Sequence, residues 1–356
     1  MEEKVTIENI NLTEVLKDAT IPERIKYILE GNPYADGINH VAMIRGVVDG
    51  KDGGRVYTFL SRILKNKERI SVFTASTLSV EKEYRKYMFG LTIPESFAGL
   101  SPNGITYGAG CSRDARPVYV KYLGYKYFPL PRYIYLRKTR PLLNSKLSVA
   151  LSYIFAPLFN LPLSLVHLIH YLRGVIIYSN YRVKEGVNDE DYFNAEKIAF
   201  KDNHKYQEEH NAGWFKWVLN APASHPGNYQ KLFLIYENNT PIGYWLVKVR
   251  YAENIRGQFK NLYVGTITDW GVMNSHKLKD KDVLSMALHC FAKYVDVIQT
   301  FTESEDNVSR WPFLKKKMGE SNFFILVKGD NNGILEGYNE VSNWRLRPAM
   351  ADTMFD

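Results

Sequence analysis

The sequence predicts an α+β protein in which one plan, a mixed and mostly antiparallel sheet flanked by helices, occurs twice. Three observations lead there. The chain has 356 residues, more than one average domain holds, and 45% hydrophobic with 24% charged content fits a globular protein. Short β-branched and aromatic runs alternate with helical patterns in both halves. The order helix, hairpin, strand, helix, strand, helix, strand reads off residues 5–140 and again off 181–356. The repeat is one of element order and not of residues.

In the first half, Ile21-Pro22-Glu23-Arg24 opens a helix through Leu29, with the proline at a tolerated first-turn position. His40–Val48 reads as a strand, Asp52-Gly53-Gly54 as a hairpin turn and Val56–Leu64 as the returning strand. Ile70–Val80 is a third strand, Phe89–Leu100 a helix interrupted by Pro94, and Ile105–Ala109 a short buried strand. Ala115–Leu123 reads as a helix and Tyr125–Leu136 as a strand whose Pro129 and Pro131 favour a sheet edge.

In the second half, a helical region from Tyr192 to Leu219 carries Trp214 and Trp217. Leu232–Tyr236, a turn over residues 237–241 and Ile242–Arg250 form a hairpin. Leu262–Val272 is the next strand, Asp282–Tyr294 an amphipathic helix, Val297–Phe301 a strand, Trp311–Met318 a basic helix and Phe323–Val327 a last strand.

Between the halves, Leu147–Tyr178 is apolar but broken by Pro157, Asn160, Pro162, His167, His170 and Arg173. A membrane-spanning helix needs about 20 mostly apolar residues. The stretch therefore reads as one or two apolar helices packed between domains. Peripheral membrane contact through 147–178 is a second expectation, because Arg132, Arg137, Lys138, Arg140 and Lys146 precede it and attract anionic lipid. The expected domains are 1–142 and 181–356, joined by a helical linker over 143–180.

The net charge of +8 favours anionic partners: phosphate-bearing ligands, lipid headgroups or nucleic acid. Lys315-Lys316-Lys317 is read as a solvated surface. Two cysteines, Cys111 and Cys290, exclude a disulfide framework and a cysteine-rich zinc site, and both are read as small packing residues. They fit a reducing compartment, and Met1-Glu2-Glu3-Lys4 lacks the shape of a signal peptide, so a cytoplasmic location is expected. No HExxH, GxxxxGK[ST] or GxSxG occurs, and His204 with His210 lacks the i, i+4 spacing of a paired ligand set. No metal is expected.

The chemistry concentrates in residues 70–127. The strand ending at Val80 leads into Glu83-Tyr84-Arg85-Lys86-Tyr87-Met88-Phe89-Gly90, a basic turn before a helix. Unpaired amides at such a turn, with the positive end of the helix dipole, suit a diphosphate, and Arg85 and Lys86 add charge. A second pattern follows: Gly104–Gly110, then Ser112, Ala115, Tyr119 and Gly124-Tyr125.

Together these segments resemble the acyl-coenzyme A core of the GCN5-related N-acetyltransferases, whose turn reads Arg/Gln-x-x-Gly-x-Gly/Ala. Arg85 and Gly90 match the ends of that motif, whereas Met88 replaces its first glycine. The later segment resembles the family's Asn-x-x-Ala-x-x-x-Tyr-x-x-x-Gly-Phe, with Ser112 for the asparagine and one extra residue before Gly124-Tyr125. The resemblance implies two tandem acetyltransferase-like domains and an acyl-CoA such as acetyl-CoA as co-substrate. It implies Val80, Tyr84, Arg85, Lys86, Gly90 and Ser112 as cofactor-binding residues, and Tyr119 as the acid that protonates the departing thiolate. His40, Glu83 and Asp114 are candidates for the base by type alone, and none is assigned.

In the second half the corresponding turn, Asn274–Asp282, has no glycine and two aspartates, so that domain is read as structural or acceptor-side. Asp269-Trp270, at a strand end there, is a candidate to line a cleft, with core packing the favoured expectation for Trp270. The expected activity is acyl-CoA-dependent N-acyl transfer to an amine acceptor, a small molecule or a cell-envelope component, without nucleic acid. The resemblance leaves two other readings: an aminoacyl transferase similar to the Fem-type enzymes that use aminoacyl-tRNA, and a degenerate binding or membrane-surface module.

Overall fold

The computed structural model describes residues 3–35, 37–100, 104–110, 114–139, 143, 149–201, 203–255, 259–273, 277–291, 295–308, 314–327, 335–350 and 354. In chain order the strands β1 (Val5–Asn11), β2 (Val41–Val48), β3 (Lys51–Lys65), β4 (Glu68–Val80) and β5 (Ile105–Ala109) come first. They are followed by β6 (Lys126–Leu136), β7 (Arg182–Gly186), β8 (Tyr206–Glu208), β9 (Tyr229–Glu237) and β10 (Thr240–Ile255). Last come β11 (Phe259–Val272), β12 (Val297–Phe301), β13 (Leu314–Val327) and β14 (Trp344–Arg345). The described helices are α1 (Leu12–Val15), α2 (Glu23–Glu30), α3 (Phe89–Ala98), α4 (Val149–Ile177), α5 (Asp189–Phe200), α6 (Ala212–Leu219) and α7 (Asp280–Phe291).

The chain divides into two compact units, each built from separated stretches. Unit 1 is Met1–Leu130, His204–Glu209 and Ser321–Asp356, and unit 2 is Pro131–Asn203 and His210–Glu320. The division expected at 142 and 180 is thus replaced by one that falls inside β6 and β13, long strands that serve one unit with each end.

In unit 1, β1 to β4 form an antiparallel meander. β5 joins β4 in parallel, and Phe323–Val327 of β13 runs antiparallel to β5. The short β8 adds to β3 and carries β14. In unit 2, β7, β9, β10 and β11 are antiparallel neighbours, β12 joins β11 in parallel, and Arg132–Leu136 of β6 closes the set antiparallel to β12. Each unit therefore has the mixed, mostly antiparallel sheet expected, with one parallel pair. Trp245, Ile267, Trp270, Leu284 and Ala287 anchor the core of unit 2 between its strands and α7, so Trp270 is a core residue. Cys290 packs against the same cluster.

Several elements differ from the sequence reading, each for a local reason. The first hairpin turns at Asp49-Gly50, where both residues take positive φ, and Gly53 and Gly54 lie inside β3. The rings of Tyr84 and Phe89 lie on Gly53, and Val80 of β4 lies close on Gly54, so these glycines admit close packing instead of a turn. The helix expected over Ala115–Leu123 is a single π-type turn, Val118–Tyr122, entered from Pro117. β6 is not the edge strand that its prolines suggest, since it neighbours both β13 and β12, and Pro129 and Pro131 precede Arg132–Leu136, the stretch that pairs with β12, which keeps both out of that ladder.

The region expected to be helical from Tyr192 to Leu219 is two helices separated by β8. Asn188 and Asn211 cap them, their side chains accepting from Asp191 N (2.9 Å) and Trp214 N (2.8 Å). Leu314–Met318 belongs to β13 and is not helical, continuing the β-rich run that pairs with β5; Trp311–Phe313 lies outside the described residues. The expected interruptions in 147–178 do not break α4, one 29-residue helix containing both Pro157 and Pro162.

Candidate functional site

The parallel contact between β4 and β5 is short. Phe73 pairs with Thr106 and Thr74 with Tyr107, and there the ladder stops. Beyond it β4 stays on β3 to the Gly54–Val80 pair, while β5 keeps β13 through the Ala109–Phe323 pair. A bulge marks the parting: Tyr57 faces Ser76 and Arg55 faces Ser79, so Thr77 and Leu78 together oppose Val56, and Thr77 takes a φ of 57°. The backbone groups of β4 that point away from β3 past Thr74 thus have no ladder partner on β5.

The end of this opening meets the basic turn. Lys82–Tyr87 forms a 3₁₀ turn after Val80, and Met88 takes a φ of 61° before α3 begins at Phe89. Glycine adopts that left-handed conformation most readily, so Met88 holds with a side chain a backbone conformation that favours glycine. Its side chain is 59% exposed. No side chain caps α3: Leu91 and Thr92 donate to Met88 O, and Phe89 and Gly90 present first-turn amides that lack an acceptor within the helix. Among the described residues, chain neighbours and the helix's own backbone aside, nothing lies within 4 Å of where a Gly90 Cβ would stand.

The sequence-derived residues do not all share this place. Val80, Tyr84, Arg85 and Gly90 line the strand end, turn and helix start. Tyr84 packs on Gly53 and Arg85 is exposed. Lys86 is drawn to the N-terminal segment: its Nζ lies 3.7 Å from a Glu3 carboxylate oxygen and 4.7 Å from the centre of the Tyr87 ring. Glu3 also accepts from Tyr87 Oη. Ser112 and Cys111 lie outside the described residues.

Tyr119 is buried in the π-type turn, its ring edge-on to Tyr125 at 5.2 Å. Tyr125 in turn hydrogen-bonds Thr106, at the last rungs of the β4–β5 ladder (2.7 Å). Tyr119 therefore belongs to the same neighbourhood, through one aromatic neighbour. Of the three candidate bases, Glu83 and Asp114 are exposed, whereas His40 is buried at the start of β2. Its Nδ1 lies 3.2 Å from Ile38 O, its Nε2 has no hydrogen-bond partner among the described residues, and burial lowers its pKa.

Two buried polar clusters escaped the sequence reading. In unit 1, Tyr107 Oη donates to Glu208 Oε1 (2.5 Å), and Ser61 Oγ lies 2.8 Å from the phenol and 3.0 Å from the carboxylate. Burial, then the Glu208 charge, pushes the Tyr107 phenol well up, so it stays a proton donor. In unit 2, Asp269 is fully buried and accepts from Tyr244 Oη (2.6 Å), with His210 Nδ1 at 2.8 Å. The His210 ring stacks on Trp214 at 3.7 Å. The charged residues concerned are 59 or more positions from their partners in sequence, apart from the Tyr244–Asp269 pair at 25, and such separations left no local pattern to read.

Unit 2 repeats the strand geometry without the amide cradle. β11 and β12 pair in parallel only from Val264–Val297 to Thr266–Gln299, and Thr268 is an additional residue where β11 bulges against β10. At the start of α7, however, the Asp282 carboxylate accepts from Lys279 N (2.9 Å), a negative group where a phosphate would need to sit. Asn274–His276 lies outside the described residues. Among the described residues no cluster of His, Cys, Asp and Glu has the makings of a metal site.

No protein-family model matches the chain. No curated protein matches it in sequence either. Solved structures do match in fold. A GCN5-related N-acetyltransferase from Anabaena variabilis superposes with a TM-score of 0.50 at 9% identity, over 91% of this chain and 73% of its own. A GCN5-related N-acetyltransferase from Kribbella flavida gives 0.52 at 9% identity, over 91% and 71%. The Saccharomyces cerevisiae N-myristoyltransferase with bound myristoyl-CoA gives 0.56 at 10% identity, over 91% and 79%. With its parted β4–β5 pair and uncapped α3 in unit 1, and an overall match spanning about nine-tenths of the sequence, the chain has the GCN5-related N-acetyltransferase fold.

Proposed function

We propose that this protein is an acyl-CoA-dependent N-acyltransferase whose acyl-CoA site lies in unit 1. The observation that carries the reading is the end of the β4–β5 ladder at Thr74–Tyr107 beside the amides of Phe89 and Gly90. The fit is chemical. First-turn amides and the dipole of α3 suit a diphosphate, Arg85 adds positive charge, and the edge of β4 past Thr74, which the β5 ladder does not reach, offers peptide groups to the amides of a pantetheine arm. The fold neighbours support the same class, since one of them was solved with myristoyl-CoA bound.

In this reading the acceptor amine attacks the thioester carbonyl. A C–N bond forms, the C–S bond breaks, the sulfur leaves as a thiolate that takes up a proton, and the acylated nitrogen gives its surplus proton to solvent, from which the proton donor to sulfur is recharged. Tyr119 is proposed as the source of that proton, which makes Tyr119→Phe a direct test: kcat should fall at least tenfold while acyl-CoA affinity holds. The acyl group and the acceptor are left at the level of class.

Calorimetric titration of the full chain with acetyl-CoA and with a long-chain acyl-CoA tests the site. Binding of either, with a rise in Tm, is expected, because a ligand selective for the folded state stabilises it. Gly90→Val should leave Tm nearly unchanged, since nothing stands within 4 Å of a Cβ there, yet weaken binding at least tenfold by covering the amides. Failure of both acyl-CoAs to bind would overturn the assignment and favour a binding module on the same fold.

A further inference from the structure

Helix α4 is turned inside out. The residues it buries, Ser152, Ala156, His167, His170 and Gly174, with half-buried Asn160, are polar or small and follow one helical stripe. They dock on unit 2 by specific contacts. Asn160 Oδ1 accepts from Thr139 N (3.1 Å) and Oγ1 (2.7 Å), His167 Nδ1 meets Tyr135 Oη, and His170 Nε2 lies 3.2 Å from Ser285 Oγ. Gly174 fits closely against His289, where a Cβ would lie 2.5 Å from Nδ1.

The opposite stripe, Ile154, Leu158, Leu161, Leu165, Leu172 and Ile176, faces outward, with exposure up to 75% at Ile176. Fourteen of the twenty-three exposed large apolar side chains among the described residues lie on this one helix. A soluble protein does not leave so continuous an apolar face in water.

The charge of the sequence that flanks the helix says what covers that face. Residues 115–184 contain 11 Lys and Arg and not one Asp or Glu, while the remaining 35 basic and 38 acidic residues leave the rest of the chain at −3. The whole positive balance of the protein therefore belongs to the segment that contains α4. A second copy would bring the same excess of positive charge to the interface, whereas anionic lipid offers both an apolar phase and negative headgroups.

We infer that α4 lies in the interface of an anionic bilayer, its leucine and isoleucine stripe in the acyl region, and holds unit 2 to the membrane. Its Leu151–Ile176 stretch is long enough to cross a bilayer, at about 1.5 Å per residue against a hydrocarbon core of about 30 Å. The docked face argues for lying flat. His170 and Gly174 bind it alongside α7, whose first residues are Asp280, Lys281 and Asp282, and a spanning pose would drag that charged helix into hydrocarbon.

Flotation of the full chain with vesicles tests this, using phosphatidylcholine alone and phosphatidylcholine with one-third phosphatidylglycerol. The wild type should float with the anionic vesicles at least tenfold more than with neutral ones. It should be released by alkaline carbonate, as a peripheral protein is. Leu158→Gln with Leu165→Gln should cut flotation at least tenfold without lowering Tm, because both side chains are exposed. Arg173→Gln with Arg182→Gln should remove much of the preference for anionic lipid.

Three results would overturn the inference: recovery in the aqueous fraction with both vesicles, carbonate resistance, or a lipid-free dimer that the glutamine variants dissociate. Acyl-CoA binding plays no part in the readout, so this test and that of the transferase reading fail separately.

Discussion

Gly46 lies flush beneath the ring of Phe89, the first residue of α3: a Cβ at position 46 would stand 2.5 Å from the ring carbons. Gly53 does the same for Tyr84 and Phe89, at 2.7–2.9 Å. The start of α3 is thus seated on two strand glycines, and the amide cradle takes its position from them. Gly46→Ala and Gly53→Ala are each expected to cost about 1–3 kcal/mol, the usual penalty for overpacking a filled core. A lowered urea midpoint with unchanged slope checks this. Stability equal to wild type in both would mean that the helix start is not held by this contact.

Met88 carries a backbone cost. A side chain with a φ of 61° sits in the left-handed region, at roughly 1 kcal/mol. Met88→Gly is expected to raise stability by up to about that amount, and Met88→Val to lower it, since a branched Cβ is strained further there. Thermal unfolding of the pair gives the sign. Acyl-CoA affinity should hold in Met88→Gly; a large gain would mean that the methionine side chain obstructs the site despite its exposure.

The Tyr107–Ser61–Glu208 cluster ties β3, β5 and β8 together inside unit 1. Tyr107→Phe takes a donor from a buried carboxylate and is expected to cost about 1–3 kcal/mol. Glu208→Gln keeps the shape while removing the charge, so it should cost less than Glu208→Ala. Chemical denaturation of the three variants orders them, and an equal cost for Gln and Ala would show that the hydrogen-bonded geometry contributes nothing.

Acid should loosen the fold through histidine. Burial lowers the imidazole pKa of His40, His167 and His289, and that of His170 to about 4, with positive charge adding to burial at His167 (Arg137) and at His170 (His289, His167 and Arg173). The unfolded chain, with its histidines near 6.5, therefore binds protons first as pH falls. Stability should be level above about pH 6.5 and decline through the window down to about 4, with His170→Asn flattening the slope. Tm measured from pH 8 to 4.5 reads the effect; a rise on acidification would contradict it.

Much of unit 1 was legible because its signals are local. The strand ending at Val80, the short β5 and the helix after Met88 announce themselves by β-branched runs and an apolar turn. What misled were residues whose role depends on distant partners. Gly53 and Gly54 look like a turn until Tyr84 and Phe89 are seen lying on Gly53 and Val80 on Gly54. Glu208 falls within the stretch expected to be helical, yet it lies on a strand, where it meets Tyr107 and Ser61. His167 and His170 look like breaks in an apolar stretch, and instead they are what docks it.

Because unit 1 takes Ser321–Asp356 into its fold, β5 has its antiparallel neighbour only once residues near 323–327 have been made. During synthesis the ribosome must deliver all of unit 2 first. For that interval the nascent amino-terminal half exposes a bare strand edge, the kind that recruits stray partners. Shortened products ending before Phe323 should consequently be chaperone clients and poor expressers, however intact their candidate catalytic residues.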